Sequence, residues 1–380
     1  MILWREARVA SLVREWDGAV EYEVEVVVEG ADPRLRRCRA LAYPRLVGKP
    51  DVGELVLLNT TALERGLGTG GYALIVALPQ RIPSDAPMGP GHLVKARYTP
   101  LQAMVLGVDE QESEHHALLA EADDLLGMPV IVADLHSSLP AILAGLRHPN
   151  PICRVGYVMT DGGALPAWFS RSIAALREAG WIDLCITAGQ AFGGDLEAVS
   201  VHSALLAAKL VAGVDVVVVA QGPGNLGTGT RWGFSGVQAG EVLNAAAVLN
   251  GRGVAALRIS GADARERHQG VSHHSLTAYG RVALAPADVV VPVLDTEEPL
   301  AGGLADLGRL VDRQVAQLVT PAGRHREIRV PVDGLLEALR ATPIGLSTMG
   351  RGLDDDPAAF LAAAAAGRHV RSLLAPPLPH

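Results

Sequence analysis

The sequence predicts an α/β protein: a doubly wound, mostly parallel sheet preceded by a small β-rich N-terminal domain. Three observations lead there. Residues 1–80 carry period-two alternation of apolar and charged side chains, residues 81–100 are rich in Pro and Gly, and from residue 101 apolar runs alternate with helical stretches. The last rhythm is that of βαβ units, which bury a parallel sheet under helices on both faces. A (βα) barrel is the alternative, because the number of strand-like runs approaches it.

In the first domain, Tyr22, Val24, Val26 and Val28 alternate with Glu21, Glu23 and Glu25, as in a strand with one face buried. A turn at Gly30–Pro33 returns the chain, so that Arg36, Arg37 and Arg39 face those glutamates across a hairpin. Glu54–Asn59 and Tyr72–Leu78 read as further strands, and closure into a barrel or sandwich is the natural way to complete such a sheet. The linker, 81–100, contains Pro83, Pro87, Gly89, Pro90 and Gly91.

The α/β domain is expected over 101–345. Its strands are predicted at Ala103–Val108, Pro129–Ala133, Arg154–Met159, Ile182–Thr187, Val214–Ala220 and Val254–Ile259. Between them, Pro166 opens a helix whose Phe169, Ile173 and Leu176 share a face, and Gly180 closes it. Asp195 is placed to cap a helix over Leu196–Ala212, ended by Gly213, and the acidic turn Glu110–Glu114 suits a helix start before Leu118. A helical extension, 346–380, has Asp356 and Pro357 capping an alanine-rich helix from Ala358.

Composition removes several function classes. The 380 residues are 49% hydrophobic and 19% charged with net charge −8, a globular balance without the basic surface that nucleic acid requires. No apolar run approaches the roughly 20 residues of a membrane span, and charge interrupts the apolar residues of Met1–Arg8, so neither membrane nor signal peptide is expected. Cys38, Cys153 and Cys185 are odd in number and far apart, with no Cys-x-x-Cys pair. A cytoplasmic location follows as the expectation.

In a parallel sheet the loops leaving the C-terminal strand ends share one edge, and ligands bind there. Here those loops are unusually polar and glycine-rich: Asp134-Leu-His136-Ser137-Ser138, Thr160-Asp161-Gly162-Gly163, Ala188-Gly189-Gln190, Gln221-Gly222 through Thr230, and Arg258 through Ser275. The spacing of Gly222, Gly224 and Gly227 after a strand matches a dinucleotide fingerprint. Thr228 to Gly233 delay the next helix, however, and the following strand ends in Arg258 rather than a ribose-binding acid. Phosphate cradling by this loop, with Thr228, is therefore expected ahead of NAD(P) chemistry, and Arg258 suits a phosphate.

The segment Arg258–Ser275 is the most functional-looking stretch, with no apolar periodicity to explain Arg265, Arg267, His268, His273 and His274 as core. Arginine forks suit carboxylate or phosphate, and histidine moves protons near neutral pH. If the segment is extended, His273 and His274 point to opposite sides and only one faces a ligand. No metal is expected: Asp134, His136, Asp161, Asp195, His273 and His274 come from separate loops with no His-x-x-x-His pair. A Gly-x-Ser-x-Gly elbow and a P-loop lysine are both missing, against an α/β-hydrolase and a Walker-type NTPase.

These loops carry a resemblance. Met159-Thr-Asp-Gly-Gly-Ala-Leu-Pro166, Ala191-Phe-Gly-Gly-Asp195, Gly222-Pro-Gly-Asn-Leu-Gly-Thr-Gly-Thr230 and Ser272-His-His-Ser275 resemble the bacterial domain-of-unknown-function family 3866, as do Gly66–Tyr72 and Ser347–Arg351. The resemblance spans nearly the whole chain and implies no activity. Many members carry histidine where this chain has Gln190, which argues against a required acid, base or ligand there.

The expected function is an enzyme acting on a small phosphorylated or carboxylated metabolite, nucleotides included. Asp161 with His273 or His274 would move protons. Arg258, Arg265, Arg267, His268, Gln190 and the loop Gly222, Gly224, Gly227 and Thr228 would hold the anion. A non-catalytic sensor or scaffold using the same pocket is the competing class. The expected partner is a small anion, with homo-oligomerisation open.

Overall fold

The computed structural model describes residues 2–27, 36–68, 70–85, 89–149, 153–294, 304–319 and 323–374. The turn expected at Gly30–Pro33 lies outside them. Two compact units form, one from residues 1–105 with 168–174 and the other from 106–167 with 175–380.

The first unit is a closed barrel. Strands β1 (Trp4–Trp16), β2 (Ala19–Val26), β3 (Arg37–Ala42), β4 (Leu55–Asn59) and β5 (Ala73–Ala77) run in the order β1-β2-β3-β5-β4. Alternation sets which side chains fill it: Val9, Val20, Tyr22, Val24, Ala40, Val56, Leu58 and Ile75 are all buried. The expected charge pairing is present, with Glu23 opposite Arg39 and Glu25 opposite Arg37, and Arg37 reaching diagonally to Glu23 at 2.6 Å. Residues 168–174 belong to this unit, where the Trp168 carbonyl accepts the Trp16 indole N–H at 2.7 Å. The run expected as the first α/β strand is instead β7 (Ala103–Val105), paired antiparallel with β6 (Leu93–Lys95). A short apolar run alone does not name its partner.

The second unit holds an open sheet of eight strands, every pairing parallel, rather than a (βα) barrel. Its strands are β8 (Pro129–Val132), β9 (Val155–Thr160), β10 (Leu184–Ala188), β11 (Leu196–Ala198), β12 (Val216–Gln221), β13 (Arg252–Ala256), β16 (Asp288–Val293) and β17 (Arg326–Pro331). Between β13 and β16, β14 (Ile259–Ser260) and β15 (Gly270–Val271) form a two-stranded ribbon. The order across the sheet is β11-β10-β9-β12-β8-β13-β16-β17. The chain winds from β8 outward through β9 to β11, returns to β12, then winds from β13 outward to β17. Strands at the centre are buried along their whole length, which is why they read as continuous apolar runs.

Leu196–Ala198 is an edge strand, not the first turn of a helix. Asp195 accordingly does not cap; its carboxylate takes the Cys185 N–H at 2.7 Å and Arg177 at 2.5 Å. The helix begins at Val201, with Ser200 as its N-cap accepting the Ser203 N–H at 3.2 Å. Glu110–Glu114 likewise opens no long helix: only His116–Leu119 is helical there, and the Glu110 carboxylate accepts the Gly107 N–H.

The alanine-rich helix, Pro357–Leu374, packs on the helix Leu139–Arg147. A Cβ on Gly145 would collide with the Ala364 carbonyl, and one on Gly367 with the Ile142 carbonyl. The two backbones thus approach closely through reciprocal glycines, and small side chains over 362–366, all buried, permit that contact. At the N-terminal strand ends the same helix contributes His369, whose Nε2 lies 2.8 Å from the buried Asp288 of β16; Arg252 and Arg326 complete its pairing from the strands on either side. Among the described residues no helix is long and apolar enough to cross a membrane.

Candidate functional site

Strands β8 and β13 are neighbours, yet the chain leaves them toward opposite edges of the sheet. The loops after them therefore part, and that switch point is where open α/β sheets bind ligands. The loop after β8 supplies Asp134, 2% exposed, whose carbonyl accepts the Gln221 side-chain amide at 2.9 Å. The loop after β13 supplies Arg258, anchored by its N–H to Ser275 Oγ at 3.0 Å. The β14–β15 ribbon folds the following segment back, so that the Ser272 N–H reaches the Arg258 carbonyl at 2.8 Å.

The next residues are not a strand. Ser272 caps a helix, His273–Thr277, its Oγ accepting the His274 N–H at 3.2 Å. Successive side chains at a helix start diverge by about 100°, not the 180° of a strand, and the rings of His273 and His274 lie 4.4 Å apart. His268 completes the cluster, its ring 4.9 Å from His273 and 5.0 Å from His274. One nitrogen from each of the three lies within 4.8 Å of the others.

Each ring is held differently. His268 Nδ1 pairs with Ser272 Oγ at 2.8 Å, and Phe234 stacks on His274 at 3.8 Å with planes 4° apart. Arg258 Nη1 lies 3.3 Å from His274 Nδ1, and since guanidinium only donates, that nitrogen accepts. Asp134 Oδ2 stands 3.6 Å from His274 Nδ1 and 4.0 Å from Arg258 Nη1. Neither is a hydrogen bond, only the Arg258 approach is an ion pair, and this buried oxygen has no hydrogen-bond partner. His273 Nε2 is also buried and unpartnered.

The electrostatics follow from burial beside fixed positive charge. Burial, reinforced by Arg258 and Arg265, pushes His268 down to about 3. Burial, reinforced by His274 and Arg267, pushes His273 down to about 4. Burial also lowers the Arg258 pKa, against the attraction of Asp134. His268 and His273 are therefore neutral imidazoles at neutral pH.

His273 also forms part of the wall of a cleft of about 490 Å³, together with Gly229, Arg231, Arg267, Thr277 and Arg281. Three guanidinium groups face this space, and no carboxylate lines it among the described residues. Its size is that of a small-molecule site.

A family model described as "Protein of unknown function (DUF3866)" matches residues 39–367. The chain belongs to the DUF3866 family. No curated protein and no solved structure matches it. The matched range takes in the whole imidazole cluster and the arginine cleft, while β1 and β2 of the barrel precede it.

The other residues singled out in this DUF3866 chain occupy several places on the same edge. Asp161 Oδ2 accepts the Gln190 N–H at 2.9 Å, bracing the loop after β9 against the loop after β10. Gly222 gives its N–H to the Thr160 carbonyl at 3.2 Å, and a Cβ there would strike the Ala164 carbonyl, so this glycine serves packing. Gly224, with φ +93°, and Gly227 have open space beside them. Thr228 directs both N–H and Oγ1 to the Gly233 carbonyl, at 2.7 and 3.3 Å. Of the loop's glycines only Gly229 reaches the cleft.

Arg265 grips Asp263 with two hydrogen bonds, 2.9 and 2.8 Å, and that fork holds the carboxyl well below the usual carboxylate range. Arg265 is thus engaged internally, whereas Arg267 faces the cleft. Sequence inspection does not single out Arg231, Phe234 or Arg281. The spacing of His273, Thr277 and Arg281, four residues apart on one helical face, is the signal that points to the last.

Proposed function

We propose that this DUF3866 chain is an enzyme for a small phosphorylated or carboxylated metabolite, nucleotides included. Arg231, Arg267 and Arg281 hold the anion, and the reacting group meets the imidazole cluster through His273. The supporting observation is an arginine cleft with no carboxylate in its wall among the described residues and with a neutral imidazole beside the guanidinium groups. Guanidinium forks bind phosphate and carboxylate bidentately, and three of them concentrate positive charge on one space.

Catalysis is favoured over simple capture by what lies behind the cleft. A sensor needs only the arginines. Buried histidine and aspartate atoms without hydrogen-bond partners, His273 Nε2 and Asp134 Oδ2, cost stability and are groups characteristic of reactive centres.

Binding of inorganic phosphate and of a nucleoside monophosphate, followed by calorimetry, tests the assignment. Arg267→Ala and Arg281→Ala are each expected to weaken binding by roughly tenfold, while His273→Gln leaves it within a few-fold of the unsubstituted protein. Binding that ignores both arginine substitutions overturns the proposal.

A further inference from the structure

We propose that His268, His273 and His274 together bind a divalent ion of the zinc type at the floor of the arginine cleft. The ligand atoms follow from the hydrogen bonds. His268 Nδ1 is occupied by Ser272 Oγ, which leaves Nε2 to ligate. His273 Nε2 is buried without a partner. His274 Nδ1 faces Arg258 and Asp134, again leaving Nε2. All three rings thus present the same nitrogen, and imidazole nitrogen suits zinc, ferrous iron, copper and nickel rather than calcium or magnesium.

The surroundings fit a metal better than a random histidine cluster. Ligating histidines hold their second nitrogen against a hydroxyl, carbonyl or carboxylate, and Ser272 and Asp134 stand in those positions for His268 and His274. Phe234 fixes the plane of His274 by stacking. One ring nitrogen from each of the three lies within 4.8 Å of the others, whereas a tetrahedral zinc with bonds of about 2.1 Å spaces its ligands by about 3.4 Å. Side-chain rotation closing the widest gap by about 1.4 Å accommodates that difference.

Two features oppose an ion and define the change on loading. Arg258 and Arg267 add positive charge, and Arg258 donates to His274 Nδ1, the wrong tautomer for ligation through Nε2. Loading therefore moves the His274 proton to Nδ1, where Asp134 Oδ2, now without a hydrogen bond, accepts it. Arg258 then pairs with the same carboxylate. Three imidazoles leave a fourth position for an outside ligand, and His273, the one of the three that lines the cleft, would direct it there, so that the ion would polarise an oxygen of the arginine-held anion. The ion's role rests on the anion reading above; its binding does not.

The test uses the full chain, stripped with chelator and then titrated with Zn²⁺, and with Co²⁺ for its visible absorption. One equivalent is expected, with the intense absorption of a tetrahedral nitrogen set. His273→Gln, at a half-buried position and checked for folding by its thermal midpoint, is expected to weaken binding by at least a hundredfold. Asp134→Asn is expected to weaken it by roughly tenfold to a hundredfold and to alter the Co²⁺ spectrum, as a positioning residue should. Substoichiometric uptake, or a His273→Gln protein that binds as tightly as the original, overturns the inference. Phosphate calorimetry on the stripped chain separates the two readings. Arginine-dependent phosphate binding without metal uptake leaves the cleft assignment standing and removes the ion. Stoichiometric metal with no phosphate binding, stripped or loaded, does the reverse.

Discussion

The guanidinium of Arg258 meets the imidazole of His274 donor to acceptor, Nη1 to Nδ1 at 3.3 Å, with the buried carboxylate of Asp134 beside both. Each group compensates another that would be costly alone. Removing Arg258 leaves Asp134 buried without its counter-charge, so Arg258→Met is expected to destabilise the protein by about 3 kcal/mol. Adding Asp134→Asn removes the stranded charge, and the double variant should be less destabilised than the sum of the singles. Urea unfolding of the four proteins measures both effects; strict additivity would show that the two residues do not interact.

The two kinds of glycine in the loop after β12 should separate cleanly. Gly222→Ala drives a methyl into the Ala164 carbonyl and is expected to cost about 1–3 kcal/mol. Gly224→Ala meets open space and suffers only the backbone cost of φ +93°, about 1 kcal/mol. Neither residue lines the arginine cleft, so phosphate binding measured under conditions where both variants stay folded should be unchanged. Loss of binding in the Gly224 variant would restore the loop as an anion cradle.

Where the helices Leu139–Arg147 and Pro357–Leu374 cross, even one methyl is too many. Gly145→Ala and Gly367→Ala each place Cβ on a carbonyl of the other helix. Each is expected to lower stability by about 1–3 kcal/mol, read as a fall in the thermal midpoint. An alanine at either site that leaves the midpoint unchanged would mean that the helices can separate without loss.

Stability should fall with acid before the carboxylates titrate. His136, whose Nδ1 lies 3.0 Å from the Tyr157 hydroxyl, is pushed by burial down to about 4 from an ordinary 6.5. Because its folded pKa is depressed, the unfolded chain takes up the proton first. The contribution is fully present above about pH 6.5 and is lost progressively as pH falls toward 4. His268 and His273, depressed in the same direction, add to the slope. Thermal midpoints of the metal-free chain between pH 7.5 and 4.5 should decline, and His136→Gln should flatten part of that decline. An equal slope in the variant would remove His136 as a cause.

By itself the sequence determined the parts that depend on neighbours along the chain. Val214–Ala220 and Arg154–Met159 read as buried strands because of their apolar runs, and Tyr22 and Val24 read as the buried face of a closed sheet because alternation survives in a barrel or a sandwich. The structure has strands at Val216–Gln221 and Val155–Thr160 and a barrel. The polarity of the loops after those strands marked the edge that carries the candidate site. Some elements escaped: Leu196–Ala198 is three residues long, β17 alternates charge along an exposed edge, and the buried β16 between β13 and β17 is not among the expected strands either. Tertiary structure alone decided that His273 and His274 start a helix, since Ser272 becomes a cap only after the β14–β15 ribbon turns the chain back. It also decided which charges are committed and which face a cleft, separating Arg265, locked on Asp263, from Arg267, two residues on. Asp134, Arg258 and His274 meet only because β8 and β13 are adjacent in the sheet while their loops diverge. Strand order is set by the packing of the whole sheet, and no local pattern of residues encodes it.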